Sequence, residues 1–162
     1  MGRRVRLIKP GWGKITRMCE ALAKKVRPYR PDVLIGISRG GLVPVRLLSD
    51  MLDNRNIAIM RIEFYTGISK TRKAPRITQP LTVDLKGKKV LIVDDVADTG
   101  RSLMVAADYV KKLGARESKI ATLHFKPTSE FKPDFFLEST DAWIVYPWEV
   151  HETERELKKR TD

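Results

Sequence analysis

The stretch LIVDDVADTGRSL, residues 91–103, decides how this sequence folds. Val90–Val93 is an apolar run, and three aspartates follow within five positions, Asp94, Asp95 and Asp98. A Thr99–Gly100 pair, Arg101 and Ser102 come next, in a chain whose formal net charge is +12. The run at 88–95 reads as a buried strand, because it is short, apolar and bounded by charged residues. Residues 100–113 read as a helix, with Leu103, Ala106, Ala107 and Val110 on one face and Gly114 as its stop. The stretch is therefore a strand, a turn and a helix, with the acids at the strand's carboxyl end.

The same alternation extends outward. Trp12, Ile15, Cys19, Leu22 and Val26 recur at helical spacing, and Pro28 and Pro31 end that helix. Residues 32–37 (DVLIGI) and 57–64 (IAIMRIEF) read as strands, and 118–125 (SKIATLHF) as a fourth. A helix over 42–52 tolerates Pro44 in its first turn. Residues 65–82 hold Gly67, Pro75, Pro80 and many charges, and read as a mobile loop or β-arm. The tail reads as short extended pieces broken by prolines. This order predicts an α/β fold, a single domain over 1–162 with a central, mainly parallel sheet flanked by helices.

Composition narrows the class. The chain has 162 residues, 42% of them apolar, enough for one packed core. No run approaches the roughly 18 apolar residues of a membrane span, and the first dozen residues lack a secretory core. The single cysteine, Cys19, allows no internal disulfide and reads as a small helix residue. A cytoplasmic location is expected. Asn54, Asn56 and Gln79 are the only side-chain amides, while 32% of residues are charged, which fits a thermophile's composition. The basic residues are scattered, without zinc-finger spacing or aromatic interleaving, so nucleic-acid binding is not expected. His124 and His151 have no metal-ligand spacing; His124 reads as a satisfied strand-end residue.

In open α/β sheets, ligands sit beyond the carboxyl ends of the strands, where Asp94 and Asp95 fall. Amides at a helix start lack internal partners and carry partial positive charge, so a phosphate docks there. Gly100 lets the backbone come close, and Thr99 and Ser102 add hydroxyl donors. Carboxylates would repel that phosphate unless Mg²⁺ or neutral sugar hydroxyls lie between. A ribose with a phosphate at one end and a diphosphate at the other satisfies both demands. The plainer reading is an acidic turn in which Asp98 caps the helix.

Residues 90–103 resemble the phosphoribosyl-diphosphate motif of the type I phosphoribosyltransferases: an apolar strand, two acids, two spacers, then Asp-Thr-Gly-x-Ser. Residues 35–44 (IGISRGGLVP) resemble the family's diphosphate loop, also directly after a strand. The C-terminal part, 124–150, is similar to the purine-binding hood of the 6-oxopurine enzymes in its Lys126-Pro127 and its Trp143-Ile144 followed by Pro147-Trp148-Glu149. Taken alone, the loop is also an ordinary Gly-rich turn, and the tail aromatics are also ordinary core residues. The resemblance spans roughly residues 33–150.

The resemblance implies a transferase that moves the 5-phosphoribosyl group from phosphoribosyl diphosphate to N9 of hypoxanthine, guanine or xanthine, with Mg²⁺ as cofactor. Ser38, Arg39, Gly40 and Gly41 would take the diphosphate, with a cis peptide between Ser38 and Arg39. Asp94 and Asp95 would hold the ribose hydroxyls, Asp95 also contacting the metal. Thr99, Gly100, Arg101 and Ser102 would clamp the 5′-phosphate, and Asp98 would act as general base at the purine N7. Lys126 would donate to the 6-oxo group, Trp143 would stack on the ring, Ile144 would offer backbone groups, and Glu149 would stand near the metal or the 2-position. Residues 65–82 would be the loop that closes the site. Which of Lys70, Arg72, Lys73 or Arg76 meets the diphosphate stays open. Arg101 and Glu149 depart from the commonest residues of the motif. Relatives commonly form dimers or tetramers, so a homo-oligomer is expected. A regulator on the same fold, binding nucleotide or phosphoribosyl diphosphate, and a transferase for adenine or another base are the alternatives.

Overall fold

The computed structural model describes residues 6–65 and 74–159. Its strands are β1 (Leu7–Ile8), β2 (Val33–Ser38), β3 (Ile57–Tyr65), β4 (Ala74–Gln79), β5 (Lys89–Ala97), β6 (Glu117–Phe125), β7 (Glu138–Ser139) and β8 (Trp143–Ile144). Its helices are α1 (Trp12–Val26), α2 (Leu42–Met51), α3 (Arg101–Lys112) and α4 (Val150–Lys159), with a 3₁₀ turn at Arg27–Tyr29. The main sheet runs β4-β3-β2-β5-β6-β7. Its pairs are parallel except β3 with β4, which is antiparallel. The α/β expectation holds.

Alternation along the central strand builds two apolar layers. Leu91 and Val93 of β5 face α1 and α2, joining Ile15, Leu22, Val45 and Leu48. Val90 and Ile92 face the other way, joining Leu103, Ala106 and Val110 of α3. Strand side chains alternate faces, so one continuous apolar run feeds both layers. Each fully buried Leu or Ile contributes about 1.5–3 kcal/mol by leaving water. Cys19 lies in the first layer, and burial pushes its thiol up to about 11.

Helix limits follow local chemistry. The 3₁₀ turn after α1 contains Pro28, and Arg30 then takes a left-handed conformation (φ 51°). Gly114, the predicted stop of α3, has φ 86°. Three features add to the sequence expectation. Strand β5 continues to Ala97, so Asp94 and Asp95 lie within it. Residues 74–79 form a β-arm on β3, one of the two forms expected for 65–82, while residues 66–73 lie outside the described residues. The tail ends in α4, beyond the extended pieces expected up to residue 150. Thr153 is the one residue of that helix that is buried, so it carries no apolar stripe to announce it. Strand β8 is held by β1 in a parallel pair, Leu7 opposite Trp143, across more than a hundred residues of sequence. Among the described residues, no helix is long and apolar enough to cross a membrane.

Candidate active site

Strand β2 ends at Ser38, and the chain turns through Gly40 and Gly41 into α2. The Ser38–Arg39 peptide is cis, as the family resemblance implies. A Cβ on Gly40 would lie 2.5–2.6 Å from the Asp95 carboxyl, so the loop needs glycine for the acid to fit. Two cavities open at this end of the sheet. One of about 410 Å³ is lined by Ser38, Arg39, Gly40 and Asp95, among others. Its neighbour, about 360 Å³, is lined by Asp98, Thr99 and Gly100. They meet at Asp94 and Ser102, which line both.

Gly100, not Asp98, occupies the N-cap of α3, with φ 82°, and offers no side chain to cap it; the Arg101 N–H leans on Thr99 Oγ1 at 3.4 Å. The capping role considered for Asp98 is overturned, and its carboxyl is exposed. Apart from that long contact, the first-turn amides and their dipole are left for an anion. The turn is fixed from outside: Glu130 N donates to Thr99 O at 2.9 Å, and Arg101 pairs with Glu130 at 3.4 Å.

The acids of β5 sit in a costly environment. Burial, then the Asp95 charge, raises the Asp94 carboxyl well above its ordinary range. Burial raises Asp95 to about 6, opposed by the Val96 N–H and the nearby Trp148 indole. Two adjacent carboxyls lining one cavity invite a cation or hydroxyl donors. The Tyr146 hydroxyl donates to the Asp95 carbonyl at 3.0 Å, and the ring stacks on Trp148 at 4.7 Å. The phenol's one proton being used there, Nδ1 of His124 donates to Tyr146 Oη at 2.8 Å. His124 is fully buried and neutral, held down to about 4 chiefly by burial. It is thus a working part of the strand's carboxyl end, with Nε2 left without a hydrogen-bond partner.

The other expected residues are placed as follows. Arg39 makes a two-pronged ion pair with Glu152 of α4, at 2.6 and 2.7 Å. Glu149 lines the same cavity, accepts from Tyr146 N at 3.3 Å, and is raised chiefly by burial. Lys126 N donates to Ala97 O at 2.9 Å, which sets Lys126 beside Asp98. Its ammonium donates to Ala142 O, next to Trp143, so Asp98, Lys126 and Trp143 converge. Trp143 is half exposed and Ile144 buried, yet Lys126, Trp143 and Ile144 line neither of the two cavities. Sequence reasoning missed Glu152, His124 and the packing of Tyr146 on Trp148. Glu152 had no signal, because α4 itself had none.

A loop-and-helix anion cradle beside two acids at the carboxyl edge of a parallel sheet defines a nucleotide- or sugar-phosphate-handling α/β protein. Residues 11–155 match the phosphoribosyl transferase domain, and the chain belongs to that family, as a type I member that resembles the 6-oxopurine enzymes. The chain is 31% identical to xanthine-guanine phosphoribosyltransferase of Cereibacter sphaeroides, over 86% of this chain and 84% of the relative. It is 30% identical to hypoxanthine-guanine phosphoribosyltransferase of Schizosaccharomyces pombe, over 88% and 89%. Among solved structures, it resembles purine phosphoribosyltransferase from Pyrococcus horikoshii with 46% identity and a TM-score of 0.83, over 88% of this chain and 93% of that one.

Proposed function

We propose that the protein transfers the 5-phosphoribosyl group of phosphoribosyl diphosphate to N9 of a 6-oxopurine, giving the nucleotide and diphosphate, as part of purine salvage. The observation that carries this reading is the uncapped start of α3 at Gly100, in a cavity joined to the Arg39 cavity through Asp94 and Ser102. One substrate with a 5′-phosphate, a diol and a diphosphate fits that sequence of environments.

The amides and hydroxyls of Thr99–Ser102 take the 5′-phosphate. Asp94 and Asp95 accept from the ribose hydroxyls, with Tyr146 and the Gly40 loop fixing Asp95 from two sides. Arg39 exchanges Glu152 for diphosphate oxygens and neutralises the leaving group as the C1–O bond breaks. Asp98, exposed and without a cap to serve, accepts the purine proton, most simply from N7, as N9 bonds to C1. The Lys126 ammonium only donates, so it matches a 6-oxo group and opposes the 6-amino group of adenine.

The residues fit the magnesium that phosphoribosyltransferases generally use. Half-buried Asp94 and buried Asp95, neither with a cationic partner among the described residues, offer hard oxygen ligands, and Mg²⁺ keeps waters and substrate oxygens as its other ligands. No group of three or more acidic, His or Cys side chains among the described residues forms a ready metal cage. When bound, the ion would neutralise diphosphate and ribose oxygens. We also propose a homo-oligomer and a cytoplasmic site of action.

The test is diphosphate release with Mg²⁺, phosphoribosyl diphosphate and each of hypoxanthine, guanine, xanthine, adenine and uracil. Turnover with the first three and little with the last two is expected. No turnover with any base removes the reading.

A further inference from the structure

A cavity of about 870 Å³ lies apart from the candidate active site. It is an open cleft lined by Arg27, Arg30, Arg55 and Lys88, with Asp32 and Asp53. Residues 30–32 lead into β2, 52–56 into β3 and Lys88 into β5. The cleft therefore lies at the amino ends of the strands, and the six residues of β2 separate it from Ser38, by roughly 20 Å at a strand's rise per residue.

Several independent features mark the cleft. None of its four cations has a carboxylate partner among the described residues; the Arg27 guanidinium instead donates to Met51 O at 3.0 Å. Asp32 accepts from the Lys89 backbone N–H at 2.7 Å, which ties it to the start of β5. The walls are braced across two loops. Asn54 donates to Pro31 O at 2.8 Å, Asn56 to Asp32 O at 3.2 Å, and Ser49 to Asn54 O at 2.7 Å. Two of the three side-chain amides in the whole sequence are spent on this bracing. Arg30 and Asp53, the two described non-glycine residues with positive φ (51° and 50°), both line the cleft. Backbone in that region persists only where surrounding structure enforces it, and it collects at ligand sites.

We infer that this cleft is a second anion site, built for a phosphorylated small molecule of nucleotide size and separate from the catalytic centre. Unpaired guanidinium groups suit phosphate oxygens, which they grip with two parallel hydrogen bonds. The volume lies in the range of small-ligand pockets and exceeds what one inorganic phosphate fills. Four cations against two acids leave a net positive lining, and the bracing fixes it before any ligand arrives.

The experiment is calorimetric titration of the full chain with inorganic tripolyphosphate. Two binding events per chain are expected, one at each site. The double variant Arg30→Glu/Arg55→Glu should weaken one event at least tenfold, leaving the other and base-dependent turnover unchanged. Lys88→Glu should weaken the same event and serves if the double variant unfolds. Lys9→Glu/Arg17→Glu alters net charge by the same amount away from the cleft and should leave both events intact. A single event, indifferent to the cleft variants, overturns the proposal, as does equal weakening by the control pair. Displacement by single-stranded oligonucleotides that grows with their length would overturn it in favour of a nucleic-acid surface.

Discussion

Glu152 holds Arg39 by both carboxylate oxygens, at 2.6 and 2.7 Å, in the cavity where a diphosphate would sit. The pair links the C-terminal helix to the diphosphate loop. Glu152 occupies Arg39 as a diphosphate oxygen pair would, so substrate must displace it.

Both side chains are substantially exposed, so the pair is worth about 0.2–1 kcal/mol. Glu152→Gln is expected to lower the KM for phosphoribosyl diphosphate by roughly two- to fivefold, with kcat little changed. Steady-state kinetics at varied sugar diphosphate reads this. A raised KM would mean that Glu152 orients Arg39 for substrate.

Asp98 stands exposed at the end of β5, beside Lys126. Asp98→Asn removes the proton acceptor and keeps the shape. It should lower kcat by about 10²–10⁴-fold while phosphoribosyl diphosphate binds within a few fold of wild type. Single-turnover rates and equilibrium binding separate the two, and loss confined to binding would contradict the base role.

Lys126 now spends a proton on Ala142 O, and an ammonium has two more to offer. Lys126→Ala should reduce the preference for hypoxanthine over adenine, measured as the ratio of kcat/KM values. An unchanged ratio would place base selection elsewhere.

Gly100 combines φ 82° with a tight site, where a Cβ would lie 2.6 Å from Ser129 Oγ and 2.7 Å from Phe131 N. Gly100→Ala should destabilise the fold by roughly 1–3 kcal/mol and raise the KM for phosphoribosyl diphosphate more than tenfold, because the α3 amides shift. Denaturant unfolding and kinetics read these separately.

His124 gives a pH dependence of stability. Its folded value, about 4, lies below the ordinary 6.5, because burial disfavours the charged ring. The unfolded chain therefore takes up a proton first as pH falls. The stability that His124 contributes is whole above pH 6.5 and is lost progressively toward pH 4, by up to about 3 kcal/mol. In His124→Gln this share of the acid sensitivity should vanish. Urea midpoints of both proteins at pH 7.5 and 4.5 check it, and parallel changes would contradict the assignment.

The sequence by itself determined the central architecture. The strand segments at 32–37, 57–64, 88–95 and 118–125 carry their own period and length, and Gly100 and Gly114 punctuate α3 through backbone freedom that no other residue shares. The motif residues of the two loops were legible for the same reason: Ser38–Gly41 and Asp94–Ser102 are each contiguous, so local spacing encodes them. Tertiary structure alone decided the rest. Glu152 reaches Arg39 across 113 residues, and Tyr146 reaches Asp95 across 51. The basic cleft gathers three loops that the sheet order brings side by side. Short-range patterns report what each segment buries, but they hold no record of which distant segment supplies the partner, because that is set by how the packed layers close.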